Sequence, residues 1–104
     1  MVGYEQIRKG IVNYIAKDLA PLLPKAYGIG LVAFAPAVVD AKLKQVFESA
    51  VFSGTPLISG NMLDLDEAMR MLKPAAEGKW PIEMFGFKFT ESDLDKLYKY
   101  IKEA

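Results

Sequence analysis

The stretch that decides the fold is Pro81-Ile-Glu-Met-Phe-Gly-Phe-Lys-Phe-Thr-Glu-Ser-Asp-Leu-Asp-Lys-Leu-Tyr-Lys-Tyr-Ile-Lys-Glu-Ala104. It predicts a β-hairpin followed directly by a capped helix. A two-residue turn at Phe85-Gly86 gives the cross-strand pairs Met84 with Phe87, Glu83 with Lys88, and Ile82 with Phe89. Side chains alternate between the faces of a strand, so the apolar pairs share one face and the charged pair lies on the other. A longer loop with the same pairing is an alternative, because Phe-Gly offers positive φ at its second position only.

The helix after the hairpin has its own start signal. Thr90 is a good N-cap and Asp93 stands at N3, which is a variant of the capping box. An apolar stripe follows at helical spacing, made by Leu94, Leu97, Tyr98 and Ile101. An isolated hairpin is only marginally stable in water. We therefore expect the apolar face of the hairpin to pack on this stripe.

The composition excludes several kinds of chemistry. The chain contains no cysteine and no histidine, which rules out disulfides, thiolate metal sites, and Ser-His-Asp or Cys-His catalysis. We expect no catalytic residues, no metal and no cofactor. Thirteen basic and thirteen acidic residues give zero net charge, which argues against a dominant electrostatic partner and lowers the barrier to self-association.

The remainder of the chain predicts more helices. The first runs from Tyr4 to about Leu19 and is weakened by Gly10. Leu22 and Leu23 are expected to fold back on the core, and 25–28 is expected to be a loop. The next helix is kinked at Pro36 and runs from about Ile29 to Ala50, although a buried strand is an alternative before the proline.

The apolar run Ile29–Val39 is shorter than the ~20 residues that a membrane span needs. We therefore predict a buried core segment and no membrane partner. The N-terminus mixes charged and apolar residues, unlike a signal peptide, and the expected location is the cytoplasm.

Residues 52–61 are rich in turn signals, and a third helix begins at Asp64 and stops or bends at Pro74. The expected fold is α+β and mostly helical, with three to four helices packed with one C-terminal β-hairpin and its capped helix. Residues 1–104 are expected to form a single domain, with a helical part at about 4–52 and a helix-hairpin-helix part at about 62–104.

Two acidic pairs invite comparison with metal ligands. Asp64/Asp66 and Asp93/Asp95 do not match an EF-hand loop, and negative charge at a helix N-terminus explains them without a metal. The segments 64–73 and 93–102 also align with each other. A duplicated unit and a shared pattern of acidic start, apolar stripe and basic end are the two interpretations.

Two groups of residues are candidates for binding. Trp80, Phe85 and Tyr100 are aromatic residues without an obvious place in the core, which makes them a candidate protein interface. Cover for the edge of the hairpin is the other interpretation of these aromatics. Lys96, Lys99 and Lys102 alternate with tyrosines, a composition that suits single-stranded nucleic acid. A solvated lysine face on an amphipathic helix is the other interpretation of these lysines.

Two segments resemble small uncharacterised proteins encoded by phages and prophages of Gram-positive bacteria. They are Leu23-Pro24 with the apolar glycine-containing start at Gly28 to Leu31, and the tail from Pro81-Ile82 through Gly86 and Phe89-Thr90 to Asp93-Leu94-Asp95-Lys96-Leu97-Tyr98. The resemblance implies a small cytoplasmic accessory or particle protein and brings no catalytic residues.

Together these observations favour a non-enzymatic protein-interaction or assembly protein that binds a protein partner or itself. A nucleic-acid-binding accessory protein that uses the face Lys96–Lys102 is the alternative. No enzyme activity is expected.

Overall fold

The computed structural model describes residues 1–48, 58–59, 62–75, 77–84 and 87–104. Four α-helices account for most of the described chain. They are α1 (Tyr4–Tyr14), α2 (Lys25–Glu48), α3 (Leu65–Ala75) and α4 (Glu91–Glu103). Five short strands accompany them, namely β1 (Val2–Gly3), β2 (Ile58–Ser59), β3 (Met62–Leu63), β4 (Ile82–Met84) and β5 (Phe87–Phe89). The predicted α+β, mostly helical fold is confirmed.

The first helix begins where it was predicted and then changes its winding. After Tyr14 the chain continues through a π-helical turn, Ile15–Leu19, into a 3-10 turn, Ala20–Leu22. Gly10 is buried at the crossing of α1 and α4. A Cβ at this position would lie 2.8 Å from the backbone nitrogen of Ile101. The glycine that weakens the isolated helix therefore allows two helices to approach closely.

The second helix is one continuous element. It begins at Lys25, so the expectation of a loop at 25–28 is wrong, and the strand alternative before Pro36 is excluded. Pro36 lies inside the helix, where it removes one intrahelical hydrogen bond. The expectation that Leu22 folds onto the core is also wrong, since this side chain is 71% exposed.

The hairpin has the predicted register. Ile82 pairs with Phe89, Glu83 with Lys88, and Met84 with Phe87. The turn residues Phe85 and Gly86 lie outside the described residues. A second small sheet was not predicted: β3 lies between β1 and β2 and pairs antiparallel with both. Strands of two residues give too short a pattern for sequence reasoning to detect.

The last helix carries the predicted capping box. The Asp93 amide donates to the Thr90 hydroxyl at 3.4 Å, and the Thr90 amide donates to Oδ2 of Asp93 at 2.8 Å. Its apolar stripe packs chiefly on α1, where Ile101 is 4% exposed. The main partner of the stripe is therefore α1 and not, as expected, the hairpin.

The core combines both ends of the chain. Its buried members come from β1, α1, α2, α3 and α4: Val2, Ile7, Val39, Leu43, Leu65 and Ile101. Half-buried residues close around them, including Tyr4, Ile11, Leu97 and Tyr98. The C-terminal half of α2 contributes to this core, and this placement leaves its N-terminal half beyond it.

Candidate interaction surface

The N-terminal half of α2 exposes apolar side chains. Tyr27 and Phe34 are each 71% exposed, and Ile29 is 63% exposed. Within the run Ile29–Val39, Ala35 and Val39 are the buried residues. The prediction that this run forms buried core is therefore wrong. Its conformation is helical, but the core reaches only one side of it.

The helix period separates two faces of α2. At 100° per residue, the buried positions Gly28, Ala35 and Val39 fall within a narrow arc. The opposite arc holds residues at alternating spacings of three and four: Tyr27, Gly30, Phe34 and Ala37. We call these four residues the outer face of α2. Its rings and small residues alternate along the helix.

The glycines of the helices have different surroundings. A Cβ at Gly10 would meet the backbone of Ile101, and a Cβ at Gly28 would lie 2.8 Å from the carbonyl oxygen of Ala20. Both glycines thus permit close packing within the chain. A Cβ at Gly30 would meet nothing within 4 Å. Packing within the described chain therefore gives no reason for glycine at position 30.

An open apolar groove lies beside this region. The 3-10 turn and the start of α2 enclose about 520 Å³, lined by Ala20, Pro21, Leu23, Lys25, Gly28, Ile29 and Val32. The groove is shallow and widely open to solvent. It extends the exposed apolar surface from α2 onto the turn that precedes it.

Hydrogen bonds join α2 to α1 beyond the C-terminal end of the outer face. The Tyr4 hydroxyl donates to the Asp40 carbonyl oxygen at 3.0 Å and to its carboxylate. The bond to this carboxylate raises the pKa of Tyr4 to about 12. The same bond, aided by Lys44, lowers the pKa of Asp40. These contacts lie away from the outer face of α2 and hold its orientation.

Length and composition also bear on a membrane. Within the described residues, α2 is the helix that is long and apolar enough to cross a bilayer, over Lys25–Gln45. The protein buries 22% of the residues in its most apolar window. Core helices and signal sequences share such lengths and compositions. The low burial sets α2 apart from an ordinary core helix.

The predicted aromatic interface does not form one cluster among the described residues. Trp80 is half-buried and lines a polar depression with Lys73, Glu77 and Glu91, at the start of α4. Tyr100 lies near the end of that helix, with its ring centre 5.8 Å from that of Tyr14. Phe85 lies outside the described residues. Trp80 and Tyr100 therefore belong to different parts of the surface.

The predicted lysine face is partly neutralised. Lys102 donates to Oδ2 of Asp66 at 3.3 Å and lies 5.5 Å from the centre of the Tyr98 ring. Lys96 and Lys99 are exposed. A further ion pair at 2.7 Å joins Lys73 to Asp95 of the same helix. The surface around the predicted lysine face therefore carries charges of both signs.

The acidic pairs divide into two roles. Asp64 accepts the Glu67 amide at 3.1 Å and Asp93 belongs to the capping box, as predicted. Asp66 accepts hydrogen bonds from Tyr98 and Lys102, and the Tyr98 bond is the main reason that its pKa is lowered. Within the described chain, no three acidic side chains are grouped as a metal would require.

The outer face of α2 was missed because the apolar run was assigned to the core. A signal was present in the sequence. Every residue of 26–39 is apolar or small, so the helix is apolar all round over this stretch. A small core covers only one stripe of a helix, which leaves the remaining apolar surface exposed. The spacing of Tyr27, Gly30, Phe34 and Ala37 is that of a helix-pairing seam.

Comparison of the chain with protein-family models, curated proteins and solved structures gave no match.

Proposed function

We propose that the protein is a non-enzymatic interaction and assembly protein whose docking surface is the outer face of α2. One observation carries the proposal: a helix that is apolar on every side over 26–39 is largely uncovered by the part of the chain that the structure describes. A helix of this kind is ordinarily enclosed. Contiguous exposed apolar surface on a small domain marks a binding site.

The shape of the surface supports a protein partner. The outer face presents two large rings separated by a glycine, which gives alternating projections and recesses. Aromatic anchors that enter pockets supply most of the binding energy at protein interfaces. A small accessory or particle protein, the role implied by the resemblance to phage proteins, is in keeping with this function.

Site-specific photocrosslinking in cells tests the proposal. A photoreactive phenylalanine analogue replaces Phe34, and a matched chain carries it in place of Lys9, which is exposed on α1. We expect a covalent protein adduct at position 34, identified by mass spectrometry, and none at position 9. The further change Ala37→Glu should abolish the adduct, because it places a charge in the apolar contact. Adducts with lipid alone, or no adduct at position 34, would contradict the proposal.

The nucleic-acid alternative depends on Lys96, Lys99 and Lys102 and stays a prediction. The pairing of Lys102 with Asp66 leaves a smaller positive surface than the sequence suggested. Binding to single-stranded oligonucleotides that weakens steeply with salt would support this alternative.

A further inference from the structure

We infer that the partner of the outer face of α2 is the same face of a second copy of this chain, with the two helices antiparallel. This inference rests on the proposed function and names the partner. Four features support it: the order of large and small residues, the glycine that packing among the described residues does not require, the charges along the helix, and the length of the apolar stretch.

The order of side chains suits an antiparallel pair. The spacing of three and four residues places Tyr27 and Phe34 at one type of seam position and Gly30 and Ala37 at the other. When two such helices run antiparallel about position 32, Tyr27 lies level with Ala37 of the second copy. Phe34 then lies level with Gly30 of the second copy. Every layer combines one ring with one small residue.

A parallel pair lacks this complementarity. Equivalent positions would then lie level, so that Tyr27 would face Tyr27 and Phe34 would face Phe34. Gly30 would face Gly30, and a void would remain between the two backbones. Close packing requires that large and small residues alternate across an interface. The sequence of the outer face thus specifies the direction of the partner.

Gly30 gains a role in this arrangement. Glycine inside a helix is less favourable than alanine by about 1 kcal/mol, and packing within the described chain does not require it at position 30. In the antiparallel pair, its missing side chain leaves a recess for the Phe34 ring of the second copy. Two rings and two recesses on each helix form a self-complementary surface.

The charges agree with contact between copies. Positions 26–39 carry no charge, and the whole chain has zero net charge, so two copies do not repel each other as whole molecules. Lys42 and Lys44 both lie toward the C-terminal end of α2. A parallel pair would bring these lysines of both copies together, whereas the antiparallel pair places them at opposite ends.

The placement of charge favours a protein contact over a membrane span. The stretch Lys25–Gln45 has the length of a span, but it includes Asp40, Lys42 and Lys44. At 1.5 Å per residue, the uncharged part is about 20 Å long, while the hydrocarbon core of a bilayer measures about 30 Å. Each ring contributes on the order of 100–180 Å² of exposed surface. The four rings of the dimer together contribute roughly 400–720 Å², which is below the ~1,200 Å² of a standard specific interface and falls in the range of weak, transient contacts. We therefore expect a reversible, concentration-dependent dimer.

Two substitutions that exchange a ring and a recess test the arrangement. Phe34→Ala leaves a recess against a recess, and Gly30→Phe sets a ring against a ring. Each single variant should weaken the dimer about tenfold or more. The double variant Gly30→Phe/Phe34→Ala again combines a ring with a small residue in those layers, so it should recover most of the wild-type dissociation constant.

The measurement is sedimentation equilibrium of the full-length purified chain from low micromolar to several hundred micromolar concentration. Lys9→Ala, on α1, is the matched control and should dimerise like the wild type. Circular dichroism and denaturant unfolding of each variant confirm that it is folded. If a single variant does not fold, the test of the dimer is the wild-type measurement, and the test of the antiparallel alignment is the dissociation constant of the double variant.

Several outcomes would overturn the inference. A wild-type chain that remains monomeric throughout, or a dimer that both single variants leave unchanged, rules out this interface. A double variant as weak as the single ones rules out the antiparallel alignment. Binding of the monomer to neutral phosphatidylcholine vesicles through Phe34 would make a membrane the partner. If the chain is monomeric but position 34 still crosslinks to a different protein in cells, this inference fails while the proposed function stands.

Discussion

Gly10 shows how a residue acts through a neighbour that is remote in sequence. In Gly10→Ala the added Cβ would press on the backbone of Ile101, which cannot rotate away. Overpacking of this kind costs about 1–3 kcal/mol, more than the ~1 kcal/mol that alanine contributes to helix propensity. We therefore expect the free energy of unfolding to fall, as measured by urea denaturation.

Gly30→Ala is the matched control for this prediction. Its Cβ would meet nothing within 4 Å, so at concentrations where the chain is monomeric the substitution should stabilise the protein by up to ~1 kcal/mol. Equal effects at the two positions would show that helix propensity alone decides, and that the contact between α1 and α4 does not constrain position 10.

Tyr4 and Asp40 give a prediction about pH. The Tyr4 hydrogen bond is the largest cause of the lowered pKa of Asp40. A lowered carboxyl pKa stabilises the fold above the unfolded value of 3.8, and this contribution is lost as the pH falls through the folded value. In Tyr4→Phe we expect the pKa of Asp40 to rise, measured by NMR titration of its carboxyl carbon.

Tyr4 makes the stability depend on pH in the opposite direction, since its contribution is lost as the pH rises. The pKa of Tyr4 is raised from 10.0 to about 12, so its contribution to stability is complete below pH 10 and is lost as the pH rises toward 12. The variant Tyr4→Phe should lose less of its free energy of unfolding as the pH rises from 10 toward 12, because it has no hydroxyl that can ionise. Tyr27→Phe serves as the control at concentrations where the chain is monomeric, because it removes an exposed hydroxyl that lies outside this hydrogen bond. An unchanged Asp40 pKa in Tyr4→Phe would contradict the hydrogen bond.

At the scale of elements, sequence reasoning succeeded where local chemistry decides the structure. The register of β4 with β5 and the capping box of α4 depend on residues at most a few positions apart. At the start of α2, by contrast, Gly28 lies so close to the preceding turn that a Cβ would be 2.8 Å from the Ala20 carbonyl oxygen, a contact that local pattern does not show. The strands β1 and β3 meet across most of the chain, and two-residue segments carry no periodic pattern that could reveal this pairing.

The capping box makes α4 sensitive to one side chain. Thr90→Ala removes the hydroxyl that accepts the Asp93 amide, whereas the Thr90 backbone amide that donates to the Asp93 carboxylate remains. We expect a loss of about 1 kcal/mol in the free energy of unfolding and faster hydrogen exchange in the first turn of α4. Thr90→Ser should retain both values. A loss that Thr90→Ser shares would point to the Thr90 methyl group and not to the cap.

At the scale of the whole molecule, most elements bury their apolar residues in the core, but α2 does so only in part. The core draws on β1, α1, α3, α4 and the C-terminal half of α2, whereas the N-terminal half of that helix is buried on one side only. Sequence periodicity indicated an apolar helix but could not state how much of it a chain of 104 residues can enclose. A small domain buries a smaller fraction of its surface than a large one. The surplus apolar surface is what we assign to association.

Association of this kind couples stability to concentration. Dimer formation binds folded chains and not unfolded ones, so mass action raises the melting temperature as the protein concentration increases. Raising the concentration from below the dissociation constant to ~tenfold above it should raise Tm by about 4–8 °C for a domain of this size. Phe34→Ala should show a clearly smaller rise of Tm over the same range, because its dimer is about tenfold weaker or more. Lys9→Ala should behave like the wild type, as followed by circular dichroism. A wild-type Tm that stays constant over the range in which sedimentation shows a dimer would mean that the contact does not involve folded chains alone.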